Sequence, residues 1–332
     1  MRSSGIRPRV LITRWIPEAA LAIVRDMCEV QYDASDRQLT PDELVRGVAG
    51  KDGLLCVVTD RVDDAVLASS SALKVVSTVA VGYDNIDVAS ATARGVAVAN
   101  TPGILTESSA DLAWGLLFSI ARRITEGDRY IRAGKWREWQ LMLMAGHDVY
   151  EQTLGIIGMG RIGQAVARRA RGCGMRILYY NRQRVDASIE AELGAIWVPL
   201  SELLEQADFV SLHVPLSPAT TRFIGEAELR RMKPTAYLIN TARGAVVDEQ
   251  AVIRALQEGW IAGAALDVFE QEPEVPLALR ALENVVLVPH IGSASVTTRT
   301  RMAVMAAENL TAVLRGEQPP NVVNPNVWSR AV

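Results

Sequence analysis

Cysteine, histidine and net charge are all scarce in this chain of 332 residues. The three cysteines, Cys28, Cys56 and Cys173, are odd in number and far apart. That excludes a disulfide framework, which needs pairs, and a thiolate metal site, which needs clustered ligands. Reduced, mostly buried thiols in a reducing cytoplasm are the expectation instead. With three histidines, any imidazole chemistry must use His147, His213 or His290. Lys plus Arg number 35 against 38 Asp plus Glu, a net charge of −3. The electrostatic footprint of a nucleic-acid binder is therefore missing, and Arg168, Arg169 and Arg171 read as a solvated helix face. Long apolar runs are missing too. The most apolar helical stretch, Leu112 to Ala121, is half a membrane span. The N-terminus carries Arg2, Arg7, Arg9 and Arg14 without an unbroken apolar run, which does not read as a secretory signal. Low-complexity tracts and repeats are absent.

What is present is the balance of a globular protein, 49% hydrophobic and 22% charged, which excludes a disordered or fibrous class. At roughly 150 residues per domain, two domains are expected. Short β-branched runs at 10–12, 54–58, 74–76 and 96–98 alternate with helical patterns such as 41–48 and 63–68. The longest helical pattern covers 104–132, and a Trp-, Met- and Gly-rich loop follows at 134–152. A second alternation begins at Thr153, with strands at 154–157, 176–180, 209–212, 236–239, 263–266 and 285–287 and a last helix at 295–315. This βαβα rhythm predicts parallel sheets covered by helices.

Gly158-Met159-Gly160-Arg161-Ile162-Gly163 fits G-x-G-x-x-G between a strand and a helix, the context of a dinucleotide-binding turn. The first glycine allows the tight turn, the second lets backbone approach a pyrophosphate, and the third lets helix pack on strand. Free N–H groups of the first helical turn then face phosphate charge. About 20 residues on, NAD-binding folds place a carboxylate for the ribose 2′-hydroxyl. This chain has Asn181-Arg182-Gln183-Arg184 there. With Arg182 and Arg184 in place of the acid, NADP(H) is favoured over NAD(H).

Three later segments carry reactive groups at strand ends: Asn240 to Gly244, Leu266 to Pro273, and Pro289 to Ala294. Together with Val81-Gly82-Tyr83-Asp84-Asn85-Ile86-Asp87, Asn100-Thr101-Pro102-Gly103 and the glycine turn, they make the chain resemble the D-2-hydroxyacid dehydrogenases along nearly its whole length. Within that family it is most similar to the glyoxylate/hydroxypyruvate reductases. The resemblance implies that Arg243 holds the substrate carboxylate, His290 is the acid–base residue, and Glu272 bonds that histidine. It implies that Asp267 positions the nicotinamide end and that the Val81–Gly82 backbone receives the substrate carboxylate. Trp139 sits where some of these reductases send a tryptophan into a neighbouring subunit. Cofactor contacts are implied for Thr106, Gly158, Gly160, Arg161, Ile162, Gly163, Asn181, Arg182, Arg184, Pro215, Thr241, Ala242, Asp267, Gly292 and Ser293. His213 is expected to shape the cofactor site, and His147 to be structural.

The chemistry asks for the same residue types. Reduction of a 2-oxo acid adds hydride to C2 and a proton to the developing alkoxide. Histidine can supply that proton near neutral pH, and a carboxylate on its other nitrogen fixes the tautomer. Arginine binds a carboxylate bidentately and steadies the oxyanion. No metal is called for. The implied fold is α/β with two domains: a Rossmann-type doubly wound nucleotide domain at 101–291, and a discontinuous flavodoxin-like substrate domain from 1–100 and 292–332. The implied activity is NAD(P)H-dependent reduction of glyoxylate and hydroxypyruvate. Glu272 argues against a formate dehydrogenase, whose histidine pairs with glutamine. A chain this short leaves no room for the regulatory domain of a phosphoglycerate dehydrogenase. The catalytic residues alone do not separate a 2-ketogluconate reductase, a phosphite dehydrogenase or, from another class, a dinucleotide-sensing corepressor. Leu112, Leu116, Ile120 and Ile124 have the spacing of a buried helix face, expected at a homodimer interface. Met142, Met144 and Trp136 are expected to be buried or at that interface.

Overall fold

The computed structural model describes residues 7–330, with side chains to 328. Arg2 of the N-terminal pattern and the last two residues lie outside the described residues. The chain forms two compact units, one from residues 1–105 and 294–332 and the other from 106–293.

The first unit opens with β1 (Arg9–Ile12), α1 (Glu18–Met27), β2 (Glu29–Tyr32), α2 (Pro41–Val48) and β3 (Gly53–Cys56). It continues with α3 (Asp64–Ala68), β4 (Val75–Thr78), α4 (Val88–Ala93) and β5 (Ala97–Ala99). The strands form a parallel sheet in the order β2-β1-β3-β4-β5, the flavodoxin-like arrangement. Central strands β3 and β4 are buried throughout, as parallel strands covered on both faces must be. Helix α2 starts with a full capping box, in which the Thr40 hydroxyl accepts from the Glu43 amide and the Glu43 carboxylate accepts from the Thr40 amide.

The second unit begins with α5 (Thr106–Ala121), α6 (Ile124–Arg132), β6 (Thr153–Ile157), α7 (Arg161–Gly172) and β7 (Arg176–Tyr180). It goes on through α8 (Ala187–Leu193), β8 (Ala195–Trp197), α9 (Leu200–Gln206), β9 (Phe209–Leu212), α10 (Glu226–Leu229) and β10 (Tyr237–Asn240). The last elements are α11 (Glu249–Gln257), β11 (Gly263–Leu266), α12 (Leu277–Arg280) and β12 (Val285–Leu287). Seven parallel strands run in the order β12-β11-β10-β9-β6-β7-β8. The order reverses between β6 and β9, the switch point of a doubly wound nucleotide-binding sheet.

The final helix, α13 (Val296–Leu314), returns to the first unit. Its Ala303, Ala306, Ala307, Leu310 and Val313 join the core of Val10, Ile12, Leu21 and Val24. The Ser77 hydroxyl donates to the Ala306 carbonyl at 2.8 Å, and Asn309 donates to the Asn100 carbonyl at 3.0 Å. Beyond α13, the segment around Val322 bridges antiparallel onto β5. There the buried Asn324 accepts from the Val98 amide at 2.8 Å and donates to the Val96 carbonyl and the Thr92 hydroxyl at 2.9 Å.

Two expectations from the sequence are corrected. The helix expected over 104–132 is two helices, separated by Arg123 in the left-handed region at φ 53°. The Ala121 carbonyl, which a continuing helix would use, instead accepts from the His147 amide at 2.8 Å. Gly146 makes that docking feasible, because a Cβ there would lie 2.2 Å from the same oxygen. The proposed interface face is also divided. Leu116 and Ile120 are buried in their own unit's core, Leu112 is half-buried, and Ile124 stands on α6, exposed. Trp136 and Met142 are exposed rather than buried within the chain, and Met144 is intermediate. Strands β2 and β8 carried no β-branched run and lie at sheet edges, where burial demands less of the sequence.

The Asn324 clip should be measurable. Asn324→Ala leaves the Val98 amide and the Val96 carbonyl unpaired in the interior. A loss of about 2–3 kcal/mol in urea unfolding is expected from burying such groups. A loss under about 0.5 kcal/mol would mean that the tail does not brace β5.

Candidate active site

The glycine turn lies at the switch point of the second sheet. The Gly158 amide donates to the Tyr180 carbonyl at 3.0 Å, and the His213 amide donates to the Ile157 carbonyl at 2.8 Å. Gly158 has φ 102°, and a Cβ there would sit 2.6 Å from the His213 carbonyl carbon. Glycine is thus required both by conformation and by contact. Gly163 is required by contact alone, since its Cβ would meet the Gly158 oxygen at 2.2 Å. At Gly160 a Cβ would meet nothing within 4 Å, so the middle glycine faces open space at the start of α7. The Asn181 side chain accepts from the Met159 amide at 2.8 Å, and the Asn181 carbonyl accepts from the Trp197 indole at 3.1 Å. Asn181 therefore ties the end of β7 to the turn.

The basic pair beyond β7 is unequal. Arg184 pairs with Glu190 at 2.7 Å, and Glu190 also accepts from the Tyr179 hydroxyl at 2.5 Å. Arg182 is exposed. Both side chains are exposed, and the Arg184 guanidinium is the one drawn to a neighbouring carboxylate. Sequence spacing did not reveal Glu190, which folds back from α8.

His213 is half-buried, and its Nε2 lies 2.8 Å from the Ser211 hydroxyl. Burial pushes its imidazole down to about 4, so the ring stays neutral near neutral pH. That suits a wedge beneath the glycine turn rather than a proton donor. His147 hydrogen-bonds the largely buried Tyr237 hydroxyl through Nδ1 at 2.5 Å.

The reactive groups of the second unit gather at the carboxyl ends of β10, β11 and β12. After β10, the Asn240 carboxamide accepts from the Ala242 amide and donates to the Arg243 carbonyl, both at 3.0 Å. The Arg243 guanidinium donates to the Ala242 carbonyl at 2.9 Å. Gly244 lies against the backbone of Phe269, where a Cβ would fall 1.9 Å from the carbonyl carbon. The Arg243 turn is thereby pressed onto the Phe269–Glu270 segment. After β11, the Phe269 amide donates to the Glu272 carboxylate at 3.0 Å. The other Glu272 oxygen lies 2.6 Å from His290 Nδ1. Burial pulls the Glu272 carboxyl upward, but the hydrogen bond and charge of His290, the Phe269 amide and Arg243 outweigh it. The net result is a carboxyl below its usual range.

Asp267 fastens the His290 loop. It is 1% exposed. Its two carboxylate oxygens accept from the Ile291 amide at 2.6 Å and the Gly292 amide at 2.8 Å. Its carbonyl accepts from the His290 amide at 2.9 Å. His290 itself is left-handed at φ 51°. Burial pushes the Asp267 carboxyl up to about 6, against the pull of the two amides and of His290. A carboxylate satisfied by loop amides was not legible in the motif.

The remaining expected positions are dispersed. Thr106 opens α5, Pro215 follows β9 and is exposed, and Ser293 is half-buried at the end of the second unit. Thr241 Oγ1 is buried and makes no hydrogen bond within the described residues. Val81 and Gly82 follow β4 in the first unit, where the Val81 carbonyl accepts from Asn100 at 2.8 Å. Trp139 is 74% exposed. A nicotinamide dinucleotide fits the second unit's own features: the open face at Gly160, the N-terminus of the twelve-residue helix α7, and the unpaired Thr241 hydroxyl. Among the described residues, no group of three or more His, Cys, Asp or Glu could hold a metal ion. No helix there is long and apolar enough to cross a membrane.

The His213 ring has a consequence for acid stability. Folding lowers its pKa from 6.5 to about 4. Its contribution is therefore complete above pH 6.5 and is lost as the pH falls toward 4. His213→Asn is expected to lose less thermal stability than the wild type between about pH 7 and about pH 4.5. Equal losses would place the acid sensitivity in another group.

Residues 114–292 match the model of the D-isomer specific 2-hydroxyacid dehydrogenase NAD-binding domain. A glyoxylate reductase of Korarchaeum cryptofilum is 55% identical over 97% of both chains. One of Thermococcus gammatolerans is 50% identical, again over 97% of both. Among solved structures, an NADPH-dependent glyoxylate/hydroxypyruvate reductase of Sinorhizobium meliloti, in complex with NADP and malonate, is 35% identical with a TM-score of 0.84. It covers 96% of this chain and 97% of its own. Full-length identity at this level, together with a glycine turn at the switch point and a Glu272–His290 pair, makes the chain a member of the D-isomer specific 2-hydroxyacid dehydrogenase family.

Proposed function

We propose that the protein reduces small 2-oxo acids, glyoxylate to glycolate and hydroxypyruvate to D-glycerate, with NADPH preferred over NADH. The observation that carries this reading is the 2.6 Å bond between Glu272 and His290 Nδ1. A bound nicotinamide dinucleotide supplies the hydride. The chain's own residues manage the proton and the substrate charge. With Nδ1 engaged by Glu272, proton donation to the substrate oxygen falls to Nε2. Glu272 fixes the tautomer and the orientation of the ring. Arg243 orients the 2-oxo acid and steadies its oxyanion. Asp267 holds the His290 loop and the nicotinamide end. The first unit holds substrate in this proposal, with the Val81 and Gly82 amides as carboxylate receptors, and Trp139 borders the substrate.

Arg182, exposed beyond β7, supports the preference for a 2′-phosphate. The exposed apolar residues Ile124, Ile131, Trp136, Trp139, Leu141 and Met142 support a homodimer built on this stretch, to be checked by sedimentation. The reduced cysteines suit a cytoplasmic enzyme.

His290→Ala should lower kcat on glyoxylate by about 10²-fold or more through loss of the general acid. Near-normal turnover would reject the assignment. Arg182→Ala should raise the KM for NADPH about tenfold, the scale of one charged hydrogen bond, and leave the KM for NADH nearly unaltered. Equal effects on both would remove Arg182 from the phosphate site. A panel of glyoxylate, hydroxypyruvate, pyruvate and 2-ketogluconate with both cofactors tests the substrate. No turnover on any of them would favour a dinucleotide sensor.

A further inference from the structure

The first sheet has a switch point of its own. Its order β2-β1-β3-β4-β5 reverses between β1 and β3, and ligands of open α/β sheets bind outside the carboxyl ends of strands at such a point. Two segments meet there: Thr13-Arg14 after β1 and the turn 57–60 after β3. Every side of that turn is held by a polar side chain. The Arg14 guanidinium donates to the Thr59 hydroxyl at 3.2 Å and to the Asp36 carbonyl at 2.6 Å. Gln38 donates to the Thr59 carbonyl at 3.4 Å. Asp60, 3% exposed, accepts from the Thr13 hydroxyl at 2.5 Å and from the Val57 amide at 2.9 Å through one oxygen. Asn85 donates to the Val57 carbonyl at 3.2 Å and to the Asp60 carbonyl at 2.7 Å. It thereby ties the turn to the segment that begins at Val81 and Gly82.

This arrangement orders the possible contacts. The Val79 amide donates to the Cys56 carbonyl at 2.9 Å, so the turn 57–60 runs beside the segment 79–82. A 2-oxo acid whose carboxylate rests on the Val81–Gly82 amides has its C3 substituent as the part that differs between substrates. Asp60 and Asn85 are built into the interior of the turn. Arg14 grips its outer end, through the hydroxyl of the exposed Thr59. A substitution there can release that hold while the bonds of Asp60 and Asn85 to the turn stay in place.

We infer that Arg14 is a positioning residue for substrate selection: by fixing Thr59, it sets the shape of the pocket that receives the substituent on C3. The inference rests on the proposed 2-oxo acid reduction. Glyoxylate has no C3 and hydroxypyruvate carries a hydroxymethyl group there, so the pair of substrates separates pocket shape from general damage. Arg14→Ala is expected to lower the hydroxypyruvate-to-glyoxylate ratio of kcat/KM by about tenfold, the size of one pocket contact. The change should lie in the KM for hydroxypyruvate, with kcat and the KM for NADPH close to wild type. Arg14→Lys should recover part of the ratio. Thr59→Val, which removes only the hydroxyl that Arg14 grips, should shift it in the same direction and serves if Arg14→Ala does not fold. An unchanged ratio in both folded variants, or a parallel fall for both substrates, would overturn the inference. Failure of the wild type to reduce either acid would instead overturn the proposed activity.

Discussion

The carboxyl end of the second sheet depends on one buried carboxylate. Asp267 gives both side-chain oxygens to the Ile291 and Gly292 amides and its carbonyl to the His290 amide. A loop that ends a parallel strand has no partner strand to satisfy its amides, and burying them unpaired is costly. Asp267 removes that cost and at the same time stabilises the left-handed backbone of His290. The imidazole is then held where Glu272 reaches it at 2.6 Å. Arg243 joins through a steric constraint, because Gly244 must lie flat against Phe269.

The same unit uses opposite electrostatic treatments for its carboxylates and imidazoles. Glu272 is half-buried beside His290 and near Arg243 and is held ionised. Asp267 is buried more deeply, and its carboxyl is pushed upward. His213 sits half-buried beside a hydroxyl and stays neutral, while His290 sits against a carboxylate. Two histidines that look alike as strand-end residues therefore have different partners. The glycine turn completes the pattern. Gly158 and Gly163 bring helix and strand into backbone contact, and Gly160 leaves room where phosphate charge would meet the helix N-terminus.

Legibility followed how local each signal was. The glycine turn could be read because strand, turn and helix are contiguous. Among the described residues, ten of twelve strands carried buried apolar runs, and the two that did not, β2 and β8, are edge strands. The break at Arg123 could not be read, because it is caused by Gly146 and His147 arriving from more than twenty residues away. Nor could the engagement of Arg184, since Glu190 reaches it only after α8 folds back.

By itself, the sequence determined the α/β class, the dinucleotide turn, and the residue types His290, Glu272, Arg243 and Asp267. Those depend on composition, period and short spacing, which a linear chain carries in full. Tertiary structure alone decided which groups these side chains bond, which guanidinium beyond β7 is paired with a carboxylate, and what brings α13 back to the first sheet. It also decided that Thr13, Arg14, Asp60 and Asn85 meet around one turn. Each of these is a contact between segments distant in the chain, selected by burial and hydrogen-bond satisfaction once the sheets had formed.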